Sequence, residues 1–211
     1  MSSHKQASKQ KQPKSREGVG RPVRADAQRN LDALLQAAKI VFADAGVDAP
    51  VRTIAELAGV GIGTVYRHFP QRSDLIAAVF RREMDACADA APVLAAEHQP
   101  LEALATWMQR YGTLVATKRG LATALHSGNP AFDGLPAHFE RRLRPACRKL
   151  FAAAAATGQI RGDIDADDLL VAVANLGMSS HTGGPGHARR MISLLVDGLC
   201  YGTGAVVKIR G

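Results

Sequence analysis

The stretch Val51-Arg52-Thr53-Ile54-Ala55-Glu56-Leu57-Ala58-Gly59-Val60-Gly61-Ile62-Gly63-Thr64-Val65-Tyr66-Arg67-His68-Phe69-Pro70 decides the fold of the head of this chain. It reads as two short helices joined by a tight glycine turn, a helix-turn-helix. Thr53 is the expected N-cap of the first, with Glu56 three residues on completing a capping box. Ala55 is small enough to let the two helices cross closely. Gly59 supplies the backbone freedom of the turn. Ile54, Val60 and Val65 are apolar plugs between the helices. The second helix is expected over Ile62–Phe69, stopped by Pro70. Gly63 and Thr64 keep bulk away from its leading edge, and Tyr66 and His68 offer polar groups outside the small core.

Working outward, Leu31, Leu34, Leu35, Ala38, Val41, Phe42 and Ala45 repeat at helical spacing after Arg24, and Gly46 ends that helix. Downstream, Leu75, Ile76, Val79, Phe80 and Met84 predict an amphipathic helix from Asp74 to about Ala90, punctuated by Pro92 and Pro100. Further helices are expected at about 101–118, 135–157, 167–180 and 187–203, the third of them with Asp165 as N-cap. No alternating strand run of useful length occurs. The fold class is all-α: an N-terminal three-helix head carrying the helix-turn-helix, then a larger helical body. The boundaries read as a basic arm over 1–23, a head over 24–75 with its motif at about 50–69, and a body over 76–211.

Composition agrees. Of 211 residues, 46% are hydrophobic but only 5% aromatic, which favours packed helices over a β-sandwich. Leu169–Ala188 lacks Asp, Glu, Lys and Arg, yet its second half is Ser, His, Thr, Gly and Pro, so no membrane span is expected. Cys87, Cys147 and Cys200 are odd in number and far apart. They predict reduced thiols, with neither a disulfide framework nor a zinc module. The N-terminus has no apolar core of a secretory signal.

The net charge of +8 is unevenly placed. Residues 1–24 hold Lys5, Lys9, Lys11, Lys14, Arg16, Arg21 and Arg24 against Glu17 alone, whereas residues 25–75 have five basic and six acidic side chains. An arm of this composition suits a polyanionic partner, or else serves as a solubilising leader.

Gly59, Gly61 and Gly63 do not make a nucleotide loop. GxGxxG fails at Tyr66, no strand precedes it, and no GxxxxGK[ST], GxSxG or HExxH exists. His98, His126, His138, His181 and His187 have no metal-ligand spacing. No catalytic residue, metal or cofactor is therefore expected.

With Ile54, Ala55, Ala58, Gly59, Val60, Gly63, Thr64, Tyr66, His68, Phe69 and Leu75 in one register, the segment resembles the tetracycline-repressor family of bacterial transcription regulators. The run Leu34–Gly46 resembles that family's first helix, and the likeness covers about residues 27–80. Gly61 stands where Ser is common, Val51 where Thr is frequent, and Arg72 where Lys is usual. The resemblance implies that Arg52, Thr64 and Tyr66 reach bases or adjacent phosphates, beside Gly63. It implies that Thr53, His68 and Arg72 position the DNA backbone. Arg67 lies between the family positions and is equally an ordinary solvated charge. The resemblance also implies a homodimer through the last two helices, a double-stranded operator, a cytoplasmic setting and a small-molecule cavity in the body. Trp107, Met108, Tyr111, His126 and Met178 are the candidates for its lining, suited to an apolar ligand; core packing would give them the same spacing. A helical enzyme with a DNA-binding head, and a non-specific architectural DNA protein, remain the alternative readings.

Overall fold

The structure, a computed structural model, describes residues 20–120, 127–178 and 186–201. Residues 1–19, His126 and the expected turn at 181–185 lie outside them. The described residues contain eight α-helices, one 3-10 turn and no strand. The helices are α1 (Gly20–Ala45), α2 (Val51–Ala58), α3 (Ile62–His68), α4 (Arg72–Glu97), α5 (Pro100–Gly120), α6 (Gly134–Ala156), α7 (Ala166–Met178) and α8 (His187–Cys200). The 3-10 turn, Pro130–Phe132, precedes α6.

Two hydrophobic cores organise them. The head core is built from Leu34, Ala38 and Val41 of α1, Ile54 and Ala55 of α2, Val65 of α3, and Leu75 and Val79 of α4. The body core surrounds α5, whose Ala103, Leu104, Trp107 and Met108 are fully buried. α5 packs on α4, α6, α7 and α8.

The main departures from the sequence reading are at the starts of α1 and α2 and at the end of α4. α1 begins at Gly20, inside the segment read as arm. α2 begins at Val51, so Thr53 is not its N-cap: Pro50, at φ −58°, holds that position and its carbonyl accepts from Thr53 N at 3.0 Å. No capping box forms at α2, and Glu56 instead accepts from Arg52 Nε at 2.9 Å.

α4 runs to Glu97, through Pro92. A proline there removes the donor to the Ala88 carbonyl. The apolar stripe nevertheless continues through Cys87, Ala88 and Ala91, all buried against the body, and packing outweighs the lost bond. Trp107 Nε1 donates to the neighbouring Cys87 carbonyl at 2.8 Å, bracing this part of the helix from α5. At its start, Gln71 N donates to Asp74 Oδ2 at 3.0 Å and the capping box is complete.

The other ends follow the sequence. Gly46 takes φ +79° after α1 and Gly59 takes φ +68° after α2, with Val60 N donating to Ala55 O at 3.0 Å. Asp165 caps α7, accepting from Asp167 N at 2.8 Å.

α5, α7 and α8 cross closely through two glycines. A Cβ on Gly112 would meet Ile192 Cδ1 at 2.3 Å. A Cβ on Gly177 would meet Val115 Cγ1 at 2.9 Å and Cβ at 3.2 Å, with the Gly112 carbonyl behind at 3.4 Å. Val115 is β-branched and stiff at χ1, so it yields little. Gly177→Ala is expected to lower stability by about 1–2 kcal/mol, because overpacking exceeds the gain in helix propensity. Urea denaturation of the two proteins measures this; equal or greater stability of the variant contradicts the close crossing.

Candidate nucleic-acid interface and ligand cavity

The head's outer surface is formed by α2, the turn and α3. Arg52, Thr53, Gly63, Tyr66, Arg67 and His68 are all exposed on it, and Thr64 is half-buried. Tyr66 is 51% exposed while its chain neighbour Val65 is 1% exposed, so α3 presents one face to the core and the opposite one to solvent. The Arg52 guanidinium is held against Glu56, both well exposed, and such a surface pair is easily exchanged for another anion. Gly63 has nothing within 4 Å of where a Cβ would stand. Its small size is thus not demanded by packing within the head.

Arg72 differs from the rest of the expected set. Its Nη1 donates to the carbonyls of Val47 and, at 2.7 Å, Ala49, in the connection between α1 and α2. It ties the start of α4 to the loop that leads into α2. Sequence position alone did not reveal that inward role.

In the body, α4, α5, α6, α7 and the 3-10 turn line a half-open cavity of about 540 Å³, within the range of small-molecule sites. Phe80 and Met84 come from α4, Tyr111, Leu114 and Val115 from α5, and Phe132 from the turn. Leu135, Phe139 and Leu143 come from α6, and Leu170, Val171, Ala174 and Met178 from α7. Glu140, Arg144, Asp167 and Asn175 are polar members of the wall.

Of the expected lining residues, Tyr111 and Met178 are in this wall. Trp107 and Met108 are not: both are fully buried in the core behind it. The Trp107 ring stacks on Tyr111 with centroids 5.7 Å apart and planes 10° apart, so only the outer ring of the pair reaches the cavity. Burial pushes the Tyr111 hydroxyl well above the usual phenol range, so it stays neutral. Phe80, Met84, Glu140 and Arg144 were missed. For Glu140 and Arg144 the available signal was their spacing with Arg148, charges at helical intervals beside Leu143; Phe80 and Met84 offered none beyond the apolar stripe of α4.

Buried Cys87 and Cys147 have thiols pushed up to about 12 by burial, so both remain protonated at neutral pH. Among the described residues no group of three His, Cys, Asp or Glu side chains could hold a metal ion. No described helix is long and apolar enough to cross a membrane.

A helix-turn-helix head joined to a helical body with a largely apolar cavity defines a class of regulator, and comparison with known proteins gives the same class. Residues 34–79 match the family model of bacterial regulatory proteins of the tetR family. Residues 99–201 match the C-terminal domain of SbtR-like transcriptional regulators. The solved TetR transcriptional regulator SCO0520 from Streptomyces coelicolor is 38% identical, with a TM-score of 0.69, over 80% of this chain and 97% of that one. A TetR transcription regulatory protein from Mycobacterium vanbaalenii is 34% identical, with a TM-score of 0.66, over 85% and 99%. The HTH-type transcriptional regulator SAUSA300_2515 of Staphylococcus aureus is 38% identical over 64 residues, 30% of this chain; the chain spans only 35% of that relative's length. The chain belongs to the TetR family of bacterial transcriptional regulators.

Two substitutions on α3 test the interface with little risk to the fold. Gly63→Ala should keep or raise stability, by up to about 1 kcal/mol from helix propensity. It should still weaken binding to a DNA site selected by the wild type. Tyr66→Ala should weaken it by about 1–3 kcal/mol, roughly five- to 150-fold. Melting curves and fluorescence anisotropy check both halves; folded variants with wild-type affinity remove the assignment.

Proposed function

We propose that this protein is a homodimeric repressor in the bacterial cytoplasm, released from a palindromic double-stranded operator by a small apolar ligand, and that it has no enzymatic activity. The single observation that carries this reading is α4. Its Leu75 and Val79 belong to the core that supports α3, and its Phe80 and Met84 line the cavity. A ligand that alters the wall of the cavity therefore acts on a helix that the DNA-binding head is built upon. The head over 24–75 and the body over 76–211 share this helix rather than being joined by a linker.

In this reading Arg52, Gly63, Thr64 and Tyr66 approach bases or adjacent phosphates, Thr53, His68 and Arg72 position the DNA backbone, and Arg67 is a further exposed charge on the same surface. Exposed apolar side chains on α7 and α8 support the dimer: Val171 at 59%, Met178 at 46% and Leu194 at 63% exposed, with Tyr201 at 84% just beyond. Large apolar side chains exposed on two helices are of the kind that a protein–protein contact covers. Two-fold symmetry of the protein then demands two-fold symmetry of the site.

Selection from a random duplex pool, with mass measurement in solution, tests the reading. The pool should converge on a near-palindromic sequence, and the mass should be that of two subunits at micromolar concentration. Leu194→Glu should give the mass of one subunit and lower DNA affinity at least tenfold. A pool with no enrichment overturns sequence-specific repression and leaves an architectural binder. A single-subunit wild type with full DNA affinity overturns the dimer.

A further inference from the structure

The cavity wall is polar in two places. One is its α6–α7 side, where Glu140 and Asn175 are exposed and Arg144 and Asp167 half-buried. These groups already have partners. Arg144 Nη2 donates to Glu140 Oε1 at 2.9 Å, and its Nη1 lies 3.3 Å from Asp167 Oδ2. Asp167 Oδ2 also accepts from Arg148 Nη2 at 2.5 Å, and Asn175 has a partner of its own. Arg144 Nε makes no hydrogen bond, but it is closed to water and hence to anything in the cavity. The other place is Tyr111 of α5, which lines the cavity and is 4% exposed. Its hydroxyl makes no hydrogen bond among the described residues, yet it is not one of the polar atoms sealed from water. Because the rest of the residue is buried, that opening is into the cavity. Trp107 stacks on the ring at 5.7 Å and Phe139 packs tilted against it at 6.2 Å, so the hydroxyl is set in place. A ligand that fills the cavity displaces whatever water serves this hydroxyl, and it must replace the bond or leave the O–H unpaired.

We propose that Tyr111 is the polar anchor of the cavity, donating its O–H to the carbonyl oxygen of an uncharged, otherwise apolar ketone or ester. This rests on the reading of the cavity as the ligand site and narrows its chemistry. The phenol is neutral, so it has one proton to donate. A hydrocarbon fills the wall but leaves that donor unpaired. An alcohol accepts from Tyr111 but brings an O–H of its own. Away from the α6–α7 side the wall is aliphatic and aromatic, with no side chain to receive it. A carboxylate must be stripped of water, and the guanidinium of Arg144 is already engaged by two carboxylates. A carbonyl takes the one donor and adds none. Phe80, Met84, Leu114 and Leu170 take the apolar body.

The test compares wild type with Tyr111→Phe, which removes the hydroxyl and strands no partner. The probes are pentylbenzene, valerophenone and 1-phenylpentan-1-ol, which carry a methylene, a carbonyl and a hydroxyl-bearing carbon at the same place on one skeleton. Each competes against the neutral apolar dye N-phenyl-1-naphthylamine for the full-length protein. Comparing one probe between the two proteins cancels how readily that probe leaves water. Valerophenone is expected to bind the variant at least about threefold more weakly, in keeping with a hydrogen bond between neutral groups. Pentylbenzene should bind it equally or more tightly, and the alcohol should lose less than the ketone. Unchanged ketone affinity, equal weakening of all three probes, or an alcohol that loses as much as the ketone overturns the proposal while the cavity reading stands. Failure of the dye and all three probes to bind overturns the cavity reading as well. A second measurement needs no variant: the infrared carbonyl stretch of isotope-labelled valerophenone bound to the wild type. It is expected below its position in hexane, as for an oxygen that accepts a hydrogen bond. A band at the hexane position overturns the proposal even if Tyr111→Phe does not fold.

Discussion

Helix α4 carries two cores on adjacent faces, and the rest of the structure depends on that sharing. Successive residues on a helix point about 100° apart. Leu75 and Val79 therefore turn to the head, while Ile76, Phe80, Met84 and Cys87 turn to the body. Phe42 of α1 packs against both cores at once. Around this seam the two units are tied by polar contacts. Arg82 Nη1 donates to the Asp32 carbonyl at 2.6 Å, Lys39 Nζ meets Glu83 at 2.8 Å, and Arg72 holds the loop before α2. Such contacts at partly exposed positions add little stability singly, but they fix the register of α1 on α4.

The cavity is attached to α4 twice. Phe80 and Met84 are part of its wall. α6, which supplies much of the opposite wall, also grips α4 by charge: Arg142 Nε and His138 Nε2 meet Asp85 Oδ1 at 2.7 and 2.8 Å, and Arg142 Nη2 meets Asp89 at 2.5 Å. A ligand lodged between α6 and α7 presses on a helix that cannot shift without carrying α4 along or breaking these pairs. On the far side, the glycine crossing of α5, α7 and α8 leaves little slack, because Gly177 already lies against Val115. A tightly packed back wall directs any adjustment toward the α4 side.

Much of this was legible in the sequence because local chemistry decided it. Gly46 and Gly59 take left-handed backbone where a helix must stop, Asp165 caps α7, and alternating faces of α3 follow from Val65 and Tyr66. What was illegible depended on distant partners. Thr53 looked like a cap, but Pro50 starts the helix earlier. Pro92 looked like a stop, yet the packing of Cys87, Ala88 and Ala91 carries α4 through it. Trp107, Met108 and Tyr111 lie on one stripe, and helical spacing cannot separate a residue facing the cavity from one a layer behind. The two stripes of α4 merge into one broad apolar face when read from sequence, so the shared helix was visible as a helix but not as a junction. The inward bonds of Arg72 were illegible because nothing in its neighbours announces the Val47 and Ala49 carbonyls.

The claim that cavity and head communicate through α4 is tested most directly by filling the cavity from the wall opposite α4. Ala174 of α7 lines the cavity and lies far from α3 in the chain. Ala174→Phe puts a tethered aromatic ring into that space without altering any side chain assigned to DNA. Affinity for the selected DNA site, measured by anisotropy on a variant with wild-type helical content and cooperative melting, is predicted to change by at least about fivefold, the lower end of typical coupling between sites. An affinity within twofold of the wild type, in a protein that is folded and dimeric, contradicts the account.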